Sequence, residues 1–266
     1  MADSRMPQEM IDWMTRLNWG TRHVHWHIVR IWDLVSGPTR SWASDQGWSR
    51  APIQEGESGN GLSFLAMHRA MIRALRNNFP QHTNLMAGWA EPPTDPQDAD
   101  DPLPHGAITP FSQNMADAVD RLHNNIDSFP DDDEFGIYIE TSLSPTPGNP
   151  GNRSVDRSTG IHNYLHGRFQ DNTSDVDMGD PTVNIFNQRF WRLHGWIDTR
   201  WSGYRLAKGF LETDQDYVDA LDSGEQHMGV SSAPHALEHA GMNFNLEVPE
   251  EVKQDLMRAL SERIGG

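Results

Sequence analysis

The sequence predicts a mainly α-helical domain: a central four-helix bundle with long loops and little β structure. Several stretches repeat apolar residues at the three-to-four spacing of a helix, and only one short run reads as a strand. Two helical stretches also carry histidine pairs four residues apart. The central stretch is Arg22-His23-Val24-His25-Trp26-His27-Ile28-Val29-Arg30. On a helix His23 and His27 share one face, about 6 Å apart along the axis. That spacing suits two nitrogen donors on one metal ion, whereas His25 points away from both. His162-Asn163-Tyr164-Leu165-His166 repeats the HxxxH spacing, and His68 and His194 follow the two pairs as single histidines. Two pairs and two singles supply three ligands for each of two metal ions. All are expected to project inward from facing helices, as bundle metal sites do.

In chain order, residues 7–35 read as one long helix through Met10, Met14, Trp26, Val29 and Ile31, ended by Ser36-Gly37-Pro38. Residues 42–60 are rich in Gly, Ser, Pro and charge and read as a loop. A second helix is expected over 62–78 with His68 among Phe64, Leu65, Met71 and Ile72, and Pro80 ends it. The six prolines and many aspartates of 91–110 read as a long surface loop over a site. An amphipathic helix follows over 113–129, then a strand at 135–139 and a turn-rich stretch at 142–158. A helix from near Ser158 carries His162 and His166. After an acidic loop at 171–180, a helix over 182–204 sets His194 on or beside its buried side, among Phe190, Leu193 and Ile197. From Ser223 the tail reads as loop up to a last helix at 249–264. The whole of 1–266 reads as one domain, its metal core at about 7–205 and its tail and final helix at 206–266.

Composition narrows the function. Lys and Arg number 21 against 38 Asp and Glu, a net charge of −17, which excludes nucleic acid and anionic membrane surfaces as main partners. With no cysteine there is no disulfide, thiolate site or cysteine nucleophile, so histidine and carboxylate are the only strong metal ligands. No stretch is long enough to span a bilayer and the N-terminus lacks a signal-peptide core, so the expected location is cytoplasmic; self-association stays open. His235 and His239 form a third HxxxH, but they lack an apolar helix and a matching third histidine, and read as ordinary structural histidines. Imidazole suits zinc, copper, iron or nickel, and six imidazoles without a carboxylate lean toward copper. Three neutral ligands on each of two ions leave open positions that fit a small molecule such as dioxygen.

Four motifs carry a family resemblance. Arg22–Arg30 resembles the first copper-binding helix of arthropod haemocyanins and phenoloxidases, with the same alternation of His and Trp. Gly61-Leu62-Ser63-Phe64-Leu65-Ala66-Met67-His68-Arg69-Ala70-Met71-Ile72 is similar to the helix that follows it in that family. His162-Asn163-Tyr164-Leu165-His166 looks like the first element of copper site B, and Phe190-Trp191-Arg192-Leu193-His194-Gly195-Trp196-Ile197-Asp198 is similar to its last. The tyrosinases and catechol oxidases share this logic. The resemblance implies copper A on His23, His27 and His68, copper B on His162, His166 and His194, and a type 3 copper oxidoreductase. Such an enzyme uses O2 to oxidise a small aromatic substrate, an o-diphenol, o-aminophenol or monophenol. It also implies a catalytic role for Asn163, directly after the first copper B histidine, in holding the water that takes a monophenol's proton. Asn163 suits a purely helix-ordering role as well. A zinc enzyme without redox chemistry and an oxygen carrier are the other readings of the same ligands.

Overall fold

The computed structural model describes residues 5–90, 113–141, 143–146, 149–155, 161–168, 176–231 and 242–261. Among them the chain is mostly helical with almost no strand. The expected loop at 91–110 lies outside the described residues, as do His235 and His239.

The expected long first helix is two. α1 (Gln8–Arg16) buries Met10 and Met14, one turn apart, and α2 (Trp19–Arg30) follows at once. Asn18 separates them at φ 55°, the left-handed region that asparagine tolerates better than most residues. α2 is buried on every side from His23 to Val29, so its residues face two cores. Trp19 and Trp26 join the main core, while Val24, Ile28 and Val29 join a smaller one with Trp48, Val252 and Leu256.

Ser36-Gly37-Pro38 starts a helix rather than stopping one. In α3 (Gly37–Asp45) the Ser36 hydroxyl accepts from the Thr39 backbone N–H at 3.4 Å. A serine N-cap with proline in the first turn is a helix start. The residues read as a stop because they also break the preceding pattern.

α4 (Asn60–Asn78) is the hub, packed against α6, α8 and α9. After α5 (Gln113–Asn124) comes α6 (Asp132–Thr141), where a strand was expected at 135–139. Phe135, Ile137 and Ile139 are all buried, so the run has no polar face to reveal a helical period. Asp132, Asp133 and Glu134 fill the first turn, where carboxylates favour the helix dipole. α6 crosses α4 with backbones in contact: a Cβ on Gly61 would overlap the Asp133 carbonyl, and one on Gly136 would overlap Gly61.

Residues 142–158, expected to be turns, contain an antiparallel hairpin, β1 (Leu143–Thr146) with β2 (Asn149–Val155), in which Leu143 pairs with Val155. α7 (Ile161–Arg168) carries the second histidine pair. α8 (Gln188–Lys208) starts at Asn187, whose side chain accepts from the Arg189 N–H at 2.9 Å, and ends at Gly209 in the left-handed conformation. α9 (Gln215–Met228) packs on α4 and buries Tyr217, Leu221 and Met228, and it runs on through 223–228, where the loop-like tail was expected to begin. α10 (Glu250–Ser261) closes the smaller core against α3.

Candidate metal centre

The six histidines singled out from the sequence come from four helices: His23 and His27 from α2, His68 from α4, His162 and His166 from α7, and His194 from α8. Their rings form one cluster. His23 lies 4.7 Å from His27 and 6.0 Å from His68, centroid to centroid. His162 lies 4.6 Å from His166 and 5.2 Å from His194. The two trios join where His68 stacks on His194, 4.0 Å apart and 18° from parallel. Phe190 stacks on His194 at 4.0 Å and meets His23 edge-on. Phe64 packs against His68 and His162, so apolar rings surround the nitrogen atoms.

Backbone carbonyls orient four of the rings. His23 Nδ1 lies 3.0 Å from the Pro181 oxygen, His68 Nδ1 2.9 Å from Phe64, His166 Nδ1 2.9 Å from Met178 and His194 Nδ1 2.8 Å from Phe190. A carbonyl only accepts, so each Nδ1 donates and each Nε2 keeps its lone pair in the neutral ring. This is the support that metal-ligating histidines use. Two of the carbonyls come from the histidine's own helix, one turn back. The Pro181 and Met178 carbonyls come from a turn in which Asp180 Oδ1 accepts from the Thr182 N–H and hydroxyl. A backbone carbonyl has no side-chain signature, so this support was not legible in the sequence.

His162 Nε2 is 3.2 Å from His194 Nε2, and His27 Nε2 is 3.3 Å from His23 Nε2. Two nitrogens on one tetrahedral metal at about 2.05 Å each stand about 3.3 Å apart. His68 Nε2 and His166 Nε2 are buried without a hydrogen-bond partner, an expense that a bound cation would remove. Burial, the largest influence, pushes the ring pKa of His23 and His166 down to about 4, and those of His27, His68 and His194 well below the usual histidine value. At neutral pH these five are uncharged donors.

The two trios differ in closure. The ligand atoms of His162, His166 and His194 all lie within 4.8 Å of one another, and this group could hold a metal ion. Among the described residues no other group of three histidines or carboxylates closes that tightly. In the other trio His68 leans toward His194 while His23 and His27 face each other.

His25 turns away, as its position on the helix requires: it stacks on His227 at 5.1 Å and meets Trp48 and Phe244 edge-on. Asn163 belongs to α7, but its side chain lies outside the described residues. No helix among the described residues is long and apolar enough to cross a membrane. No protein-family model matches the chain, and no curated protein matches it significantly.

Proposed function

We propose that the chain is a dinuclear copper oxidoreductase that uses O2 to oxidise a small phenolic substrate, an o-diphenol, o-aminophenol or monophenol. In this reading α2, α4, α7 and α8 form a central four-helix bundle around two coppers, one on His23, His27 and His68 and one on His162, His166 and His194. The observation that carries it is the buried cluster of six imidazoles, joined by no carboxylate in a potential ligand group among the described residues, five of them held uncharged and two pairs of them at the spacing of ligands on one ion. An all-imidazole donor set suits copper. When bound, the copper pair supplies the redox capacity that couples phenol oxidation to dioxygen reduction.

The chain's own residues supply the rest. The backbone carbonyls hold the imidazole tautomers, and Phe64 and Phe190 exclude water from the ring nitrogens. Asn163 holds a water that takes the phenolic proton of a monophenol. Asn163→Ala is then expected to lose monophenol turnover while o-diphenol oxidation and copper content persist; equal loss of both activities would remove that role.

One observation favours a second reading. Among the described residues only the trio His162, His166 and His194 closes tightly, and three histidines plus a water satisfy a single zinc acting as a Lewis acid. The deciding experiment is metal analysis after copper loading, with absorption spectra under oxygen and oxygen uptake on catechol. About two coppers per chain, an oxygen-dependent near-ultraviolet band and catechol turnover support the oxidase. The band without turnover favours an oxygen carrier. One metal per chain with no such band overturns the dicopper reading.

A further inference from the structure

A cavity of about 360 Å³ lies beside α2, and none of the six clustered histidines lines it. Trp26, Val29 and Met67 form an apolar part of its wall, and Arg30 and Ser63 a polar part. Arg30 is unusual in a chain of net charge −17. No carboxylate among the described residues comes within ion-pair contact of its guanidinium, and Glu140 acts on it only from a distance. Nη2 donates to Ser63 Oγ at 3.1 Å and Nη1 makes a long bond to the Trp26 carbonyl at 3.4 Å, while the group stacks over the Trp26 ring at 4.4 Å. A guanidinium has five N–H donors, so these two bonds leave three for a ligand. By contrast Arg50, also on the cavity wall, is already paired with Asp33.

Burial pulls the Arg30 pKa down to about 10, with the Glu140 charge opposing. The cation is therefore poorly solvated where it sits, and a half-buried unpaired charge gains most from an anion that brings both charge and hydrogen-bond acceptors. The volume falls in the range of small-molecule sites, which combine apolar walls with few polar groups.

We propose that this cavity binds a small organic carboxylate, its oxygens on the Arg30 guanidinium and the Ser63 hydroxyl and its apolar body against Trp26, Val29 and Met67. An inorganic oxyanion would leave the apolar wall without a partner, and a neutral molecule would leave the charge so.

The test is calorimetric titration of the full chain, metal-free and copper-loaded, with hexanoate, hexanamide and inorganic phosphate. Hexanoate is expected to bind one per chain in both forms, at least about tenfold tighter than the amide, as a charge-assisted contact requires. Arg30→Gln should lower hexanoate affinity to the level of the amide. Ser223 is exposed on the cavity wall, so Ser223→Glu threatens folding little and should weaken hexanoate at least about tenfold by like-charge repulsion. Hexanoate binding only to the copper-loaded form, phosphate binding as tightly as hexanoate, or unchanged affinity in Ser223→Glu would each overturn the proposal. None of these results depends on the oxidase reading, because the metal-free titration contains no copper.

Discussion

Removing the Asp198 carboxylate should destabilise the fold more than removing the ion pair it belongs to. Asp198 lies one turn beyond His194 on α8, and Arg69 follows His68 on α4, so their contact pins the crossing where the two histidines stack. Arg69 Nε donates to Asp198 Oδ1 at 2.5 Å. Nη2 donates to Ser202 Oγ at 2.7 Å and to the Asp198 carbonyl, Nη1 donates to the Tyr217 hydroxyl, and the group stacks on Trp201 at 3.8 Å. The Arg69 side chain is only 4% exposed. Asp198→Ala leaves that charge buried without its counter-ion, at an expected cost of about 3–5 kcal/mol. Arg69→Met removes the charge itself and leaves Asp198 with Arg76 at 3.7 Å, so it should cost about 1–3 kcal/mol. Arg69→Met combined with Asp198→Leu replaces the pair with apolar groups and should cost no more than about 2 kcal/mol. Urea unfolding followed by circular dichroism gives all three values, and metal retention after dialysis reports on the histidine crossing. A cost below about 1 kcal/mol for Asp198→Ala, or a double variant as unstable as Asp198→Ala, would refute the argument.

His25→Phe should keep the copper content of the parent, whereas His194→Phe should lose metal from the trio on α7 and α8; equal metal loss in both would contradict the facing assigned to α2. Metal removal by a chelator should lower the melting temperature by roughly 10 °C, since a ligand at a thousandfold over its Kd stabilises by about 4 kcal/mol; an unchanged melting curve would argue against a site preformed in the fold. Asp255 makes a testable acid limit. Burial raises its carboxyl pKa, but the Arg258 guanidinium and the Ser36 N–H outweigh that and bring it down to about 2, from 3.8. A depressed folded-state pKa stabilises fully above the unfolded value and is lost as pH falls through the folded one. The stability gap to Asp255→Asn should therefore be about 2 kcal/mol at pH 6 and shrink between about pH 4 and pH 2; a pH-independent gap would refute the assignment.

The helical class and the six histidines were legible in the sequence because both rest on local periodicity. An HxxxH pair on a helix shares a face whatever the helix packs against, and α4 and α8 show their apolar spacing directly. What periodicity could not report was decided by contacts distant in sequence. α6 reads as a strand until Gly61 and Gly136 bring it against α4, because a helix buried all round has no polar face to betray its period. α9 covers Met67 and Ala66 of α4 through Gly224, a contact between segments about 160 residues apart. The Asn18 break hid inside a broad apolar pattern that Met14, Leu17 and Trp19 carry across it, since only its backbone conformation differs. The same division runs through the site. The sequence alone determined which imidazoles lie on which helix faces. Only the tertiary structure decided that His68 stacks on His194, that the Pro181 and Met178 carbonyls of one turn orient rings on α2 and α7, and that Arg30 stands beside a cavity with no carboxylate among the described residues paired to it. Those are distances between elements, and a one-dimensional pattern carries no such distance.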